Sequence, residues 1–243
     1  MTRILTAPIV DACMYHLHIG NKNYSSWSLR PWVLMQVLGI PFEESVTPFA
    51  PAGAPNPFRS FSPSGQVPCL IHGGRAVWDS LAIIEYLAER HPTVWPADDV
   101  ARAWARCATA EMHAGFRDLR TQCGMNCGVR VALEGGVSPG TQADLARIDA
   151  LWNEGLTRFG GPFLSGSEFT AVDAFYAPVA FRIQTYTLPL SQPALDYASR
   201  LLALPAMKAW HEAGLAETWR HDAHEQDLRE AGRVVQDLRA VEG

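Results

Sequence analysis

Residues 62–89 read SPSGQVPCLIHGGRAVWDSLAIIEYLAE, and this one stretch contains a strand, a tight turn, a return strand and the start of a helix. Val67, Cys69 and Ile71 alternate with Pro68, Leu70 and His72, which is the two-residue period of a strand. The Gly73-Gly74 pair suits a two-residue hairpin whose central positions need positive φ, and Ala76, Val77 and Trp78 form the returning strand. Asp79 or Ser80 then caps a helix. Leu81, Ile84, Leu87 and Ala88 share one face of it, while Glu85, Glu89 and Arg90 are left to water. Pro68 is out of place at the start of a strand, since proline cannot donate to the ladder. Trans is the default for any single X-Pro bond, about 5–6% being cis in folded proteins. A cis Val67-Pro68 bond explains this proline, however, and leaves the main chain of Val67 open to pair with an extended ligand. Asp79-Ser80 adds an acid and a hydroxyl at a helix N-terminus close by. The combination predicts the cis isomer and reads as a receptor for a small peptide carrying both charges.

Working outward, Tyr15, Leu17 and Ile19 alternate with His16 and His18 as a strand that closes at residues 20–23. A helix follows and ends before Gly39, a good residue for the position just past a helix; Pro31 belongs in its first turn. Ser25, Ser26 and Trp27 therefore sit at the helix start, where unpaired N–H groups and the positive dipole end favour an anion. A sulfur anion suits such a place. Residues 42–46 supply a second strand, so strand, helix and strand precede the hairpin and its helix, the order of a thioredoxin-like α/β domain. Residues 48–63 carry five prolines and read as an ordered loop.

After His91-Pro92 the pattern becomes helical, without further clear strands. Residues 101–121 and 142–159 have apolar positions at helical spacing, and 203–215 give a last packed helix. Thr170 and Asp173, three apart before an apolar run, have the spacing of a helix N-cap, a role in folding. The expected organisation is a disordered extension over 1–13, a thioredoxin-like domain over 14–92, a link over 93–100, an all-α domain over 101–220 and a charged, solvated tail over 221–243.

At 243 residues and 48% hydrophobic content the chain buries a full core. Lys and Arg total 20 against 25 Asp and Glu, a net charge of −5 that argues against a nucleic-acid partner. No stretch is long enough to span a membrane. Five cysteines without framework spacing read as reduced thiols in a cytoplasmic protein. Cys123 and Cys127 have the spacing of one helical turn, but nothing completes a metal set, so no metal site is expected.

Val67-Pro68 followed at short range by Asp79-Ser80-Leu81-Ala82-Ile83-Ile84-Glu85-Tyr86-Leu87 resembles the glutathione site of the glutathione S-transferase superfamily. The resemblance spans nearly the whole chain. It implies that the Val67 main chain pairs with the cysteinyl part of glutathione, that Asp79 and Ser80 hold the γ-glutamyl end, and that Gln66 is a neighbouring contact. Ser25-Ser26-Trp27-Ser28-Leu29-Arg30 lies where the superfamily places its thiol-activating residue, and it resembles the zeta-class pattern. Trp27 stands where that class has cysteine, Leu29 replaces its tryptophan and Pro31-Trp32 its Val-Arg pair. The resemblance implies that Ser25 donates a hydrogen bond to the thiolate, with Ser26 in reserve; as residues alone, both serines are equally good helix caps.

The implied function is glutathione transfer to a small electrophile, or glutathione-dependent isomerisation or peroxide reduction, in a homodimer. Maleylacetoacetate isomerisation and non-catalytic ligand or partner binding are the alternatives. The proline-rich loop of the superfamily can carry an aromatic that locks into a second subunit, and Phe58 or Phe61 matches it, as would a locally buried aromatic. Arg117, Arg120, Asn126 and Arg130 fall in the region that walls the second-substrate pocket, or on a solvated helical face.

Overall fold

The computed structural model describes residues 14–240; the predicted extension over 1–13 lies outside the described residues. Strand β1 (Tyr15–Ile19), helix α1 (Ser26–Val37) and strand β2 (Phe42–Val46) form a parallel β-α-β unit. The hairpin β3 (Cys69–His72) and β4 (Arg75–Val77) joins antiparallel to β1, giving a four-stranded sheet in the order β2-β1-β3-β4. Gly73 and Gly74 both have positive φ, 55° and 75°, as the two-residue turn requires. Helix α2 (Ser80–Ala88) follows, capped by Asp79 Oδ1, which accepts from the Leu81 amide at 2.8 Å. The face it buries is Ser80, Ile83, Ile84 and Leu87, one position turned from the predicted one. The Val67-Pro68 bond is cis, as the strand pattern predicts, and the Trp78-Asp79 bond is cis as well.

Helix α1 ends as expected, with Gly39 at φ 64° and the Ile40 amide closing on the Met35 carbonyl at 2.9 Å. Because α1 starts at Ser26, Pro31 lies in its second turn rather than its first, and the Trp27 carbonyl loses its usual helical donor.

The second half is built on α3 (Asp99–Ala114), α4 (Arg117–Gln122), α5 (Pro139–Phe159), α6 (Ala171–Tyr186), α7 (Gln192–Ala203) and α8 (Pro205–Ala216). The expected single helix over 101–121 is two. The first helix ends at Gly115, where a side chain would not fit because a Cβ would meet the Glu111 carbonyl oxygen at 2.8 Å, and Phe116 turns the chain at φ 56°. Met112 and Phe116 are both buried, so the apolar rhythm runs unbroken across a backbone that does not.

Helix α6 is the centre of the molecule. Fifteen of its residues are buried, and it packs against α1, α3 and α7. Its start carries the reciprocal cap predicted for Thr170 and Asp173. The Asp173 carboxylate accepts from the Leu164 amide at 3.0 Å, the Thr170 amide at 2.9 Å and the Tyr197 hydroxyl at 2.8 Å.

The end of the chain corrects the sequence reading. Of the tail expected over 221–243, the described residues 221–240 are folded, and the second half is not strand-free. Asp222–Ala231 is helix α9, and Gly232–Asp237 is a strand, β6, that pairs antiparallel with β5 (Val129–Leu133). Three of the segment's charges satisfy one another, while Asp222, Arg229, Glu230 and Arg233 stay exposed. Arg239 pairs with Glu225 and, at 2.7 Å, with Asp237, while Tyr24 donates to Glu225 at 2.7 Å. Among the described residues no helix is long and apolar enough to cross a membrane.

Candidate active site

The start of α1, the cis-proline turn and the start of α2 converge on one cleft of about 770 Å³. All six residues singled out in the sequence line it: Ser25, Ser26, Gln66, Val67, Asp79 and Ser80. Two features made this legible. A helix N-terminus must begin where the serine run meets the first apolar turn, and the hairpin brings the proline and Asp79 to one end of the sheet.

The two serines differ in their surroundings. Ser25 stands at the N-cap of α1, yet its side chain does not cap; its hydroxyl donates to Ser28 Oγ at 2.7 Å, which also accepts from the Gly20 amide at 3.2 Å. Ser26 Oγ accepts from Arg182 Nη2 at 3.4 Å. Ser80 is buried, and among the described residues its hydroxyl has no hydrogen-bond partner. Asp79 is exposed; its second carboxylate oxygen lies 3.6 Å from His113 Nε2 on α3. Burial, outweighing the nearby Asp79 carboxylate, holds the His113 imidazole below its ordinary value.

Three guanidiniums gather behind the serines. Arg30 lies 4.0 Å from the centre of the Trp27 ring, Arg120 lies 5.3 Å from it, and Arg182 reaches in from α6. Among the described residues none of the three has a carboxylate at ion-pairing distance. Burial, followed by Arg182 and Arg120, lowers Arg30 to about 9; burial lowers Arg182 to about 10. Both remain protonated at neutral pH, so the floor of the cleft is cationic. It is a place for an anion.

Of the four residues weighed for the second-substrate wall, Arg120 lines the cleft. Arg117 is exposed, Asn126 is buried and accepts from the Gly128 amide, and Arg130 on β5 donates to the Val129 carbonyl. The opposite wall was not foreseen. It is made by Phe49, by His221 just ahead of α9, and by His224 and Asp227 within it. Their spacing of three residues on one helix face was the available signal, obscured by reading the segment as a tail. The two imidazoles share a hydrogen bond, Nδ1 to Nδ1, at 2.6 Å, and burial, then His221, pushes His224 down to about 4. Arg182 was also missed, although the single basic residue of a largely apolar helix is itself a signal.

Cys123 and Cys127 do not face each other across a helical turn, since α4 ends at Gln122. Cys127 donates to Asn23 Oδ1 at 3.4 Å, and burial pushes both thiols up to about 12, far from a reactive thiolate. Phe58 is buried within its own chain against Phe49, and Phe61 stacks on His18.

Two family models match the chain: the N-terminal domain of glutathione S-transferases over residues 24–90, and the C-terminal domain of the same family over residues 102–213. The chain belongs to the glutathione S-transferase family and is a glutathione transferase. It is 26% identical over 208 residues to a probable maleylacetoacetate isomerase of Caenorhabditis elegans, covering 81% of this chain and 92% of that one. A maleylacetoacetate isomerase of Rattus norvegicus is 27% identical, covering 66% and 74%. Among solved structures, a glutathione S-transferase of Rhodospirillum rubrum aligns with a TM-score of 0.64 at 18% identity, over 88% of this chain and 99% of that one. A glutathione transferase homolog from Burkholderia with bound glutathione aligns with a TM-score of 0.61 at 22% identity, over 82% and 97%.

Proposed function

We propose that the cleft binds glutathione in an extended pose. The γ-glutamyl end lies on Asp79 and Ser80, the cysteinyl part pairs with the main chain of Val67, Gln66 flanks it, and the sulfur reaches the start of α1. There a serine hydroxyl and the helix N-terminus favour the thiolate, which attacks a small electrophile. The observation that carries this reading is the meeting of residues 25–26, 66–67 and 79–80 in one cleft, with Ser80 Oγ buried there and unpartnered among the described residues. A buried hydroxyl without a partner costs free energy that a ligand's polar group recovers.

A free thiol has a pKa near ~8.5 and is mostly protonated at neutral pH, so activation consists of favouring the anion. The thiolate is the attacking species for transfer, for isomerisation through a transient adduct and for peroxide reduction alike. The relatives named maleylacetoacetate isomerase favour isomerisation as the second reading, although Trp27 stands where the zeta pattern has cysteine. We place the enzyme in the cytoplasm as a homodimer.

The test is capture on immobilised glutathione followed by a turnover screen across electrophiles, peroxides and maleyl isomers. Retention with turnover of at least one class is expected. Retention without any turnover would support a carrier instead, and failure to bind glutathione would overturn the reading.

A further inference from the structure

We propose that Arg182 makes Ser26, rather than Ser25, the hydroxyl that faces the glutathione sulfur, and that its charge holds the sulfur as thiolate. The inference rests on the glutathione reading above and assigns roles within it.

A serine hydroxyl has one proton to give. That of Ser25 goes to Ser28 Oγ at 2.7 Å, in a chain that runs back to the Gly20 amide and away from the cleft. Ser26 Oγ is on the accepting side of its bond with Arg182, and among the described residues nothing receives its proton. It is the donor left for a ligand. A hydroxyl that accepts from a cation is also a better donor, because each bond in such a chain polarises the next.

Arg182 itself is only 3% exposed. Its Nε donates to the Cys123 carbonyl at 2.8 Å and its Nη2 to Ser26, which fixes the plane of the guanidinium. Its Nη1 is buried and, among the described residues, without a partner. A buried cation with an open donor and no carboxylate is costly, and an anion in the cleft removes that cost. The surrounding charges agree in sign. Arg30 from α1 and Arg120 from α4 add positive charge, and His113 on α3 is held neutral by burial. The Asp79 carboxylate at the start of α2 faces the amino end of the tripeptide. The Cys123 thiol and the Tyr186 phenol beside Arg182 are kept protonated by burial. His221, His224 and Asp227 line the cleft from α9.

In the step itself the S–H bond breaks with both electrons staying on sulfur, and the proton passes to solvent through the open cleft. Ser26 and Arg182 keep their protons throughout. Ser26 touches the reacting atom; Arg182 is a positioning residue acting through it and through its own charge.

The experiment follows thiolate absorbance of bound glutathione against pH in the full-length enzyme and in Ser25→Ala, Ser26→Ala, Arg182→Lys and Arg182→Gln, with glutathione affinity measured in parallel by calorimetry. Ser26→Ala and Arg182→Gln should each raise the midpoint by about one to three pH units, the effect of removing a nearby favourable charge or donor. Arg182→Lys should restore most of the shift, and Ser25→Ala should move it by less than about half a unit. Ser26→Ala combined with Arg182→Gln should fall short of the summed single effects, since the two groups act as one. A midpoint moved by Ser25→Ala and not by Ser26→Ala would overturn the assignment, as would an Arg182→Gln curve matching wild type. Should Arg182→Gln fail to fold, the Ser26→Ala curve decides, and a midpoint matching wild type there would overturn the proposal. Absence of any thiolate signal in the wild type, by contrast, would strike the glutathione reading itself.

Discussion

Asp79 has two tasks, and substitution can separate them. One carboxylate oxygen caps α2 through the Leu81 amide, and the other is proposed to receive the amino group of the tripeptide. Asp79→Asn keeps a competent cap, so thermal stability should hold to within about 0.5 kcal/mol. Glutathione binding should weaken by about 1.5 kcal/mol, the low end for a charged hydrogen bond because the side chain is 48% exposed. Asp79→Ala should lose the same affinity and about 1 kcal/mol of stability as well, read by calorimetry and thermal melts together. Unchanged affinity in both variants would remove Asp79 from the binding site. The cleft residues contributed by local motifs were legible because short-range chemistry marks them: Pro68 out of place in a strand, Asp79-Ser80 ahead of an apolar run, serines at a helix start. Arg182 and the imidazoles of α9 were not, because their relation to the serines spans more than 150 positions and exists only after packing.

The same division holds for elements. Helix α6 begins where Thr170 and Asp173 said it would, since a cap is a local event. The Asp173 carboxyl is fully buried, and burial, outweighing its hydrogen bonds, pushes it from 3.8 up to about 6. Between those values the folded chain binds more protons than the unfolded one, so this group's contribution to stability is greatest in acid and falls as pH rises toward 6. The difference in unfolding free energy between wild type and Asp173→Asn, measured by urea titration, should therefore shrink from about pH 4 to about pH 6; a flat difference would mean an ionised cap throughout. Asp173→Ala should cost about 3 kcal/mol, because it leaves buried donors unpaired.

The last elements depend on distant partners and were misread for that reason. Val234 finds Val131 and Arg239 finds Glu225, pairings that no local pattern announces. Glu225→Ala leaves the nearly buried Arg239 with one partner fewer and frees Tyr24. Hydrogen exchange should then quicken across α9 and β6 while the four-stranded sheet stays protected. Uniform protection would show that the strand pairing alone holds the segment.

At the scale of the whole molecule, α6 is the shared support. It carries Arg182 to the serines on one side and packs on α1, so the proposed thiol site draws a residue from the helical half. The two-domain order was legible from the switch between two-residue and helical periods, whereas the dependence of one half on the other was not. Phe58 is committed to its own core, which leaves Phe61 as the aromatic of the proline-rich loop nearer the surface. Light scattering should nonetheless give twice the 26.7 kDa chain mass if the enzyme is a homodimer.

The most direct test of the central claim is a crystal structure of the enzyme with glutathione. The account predicts the γ-glutamyl group on Asp79 and Ser80, the cysteinyl main chain paired with Val67, and the sulfur within hydrogen-bonding reach of Ser26 Oγ. Glutathione bound elsewhere, or with its sulfur turned away from the start of α1, would contradict it.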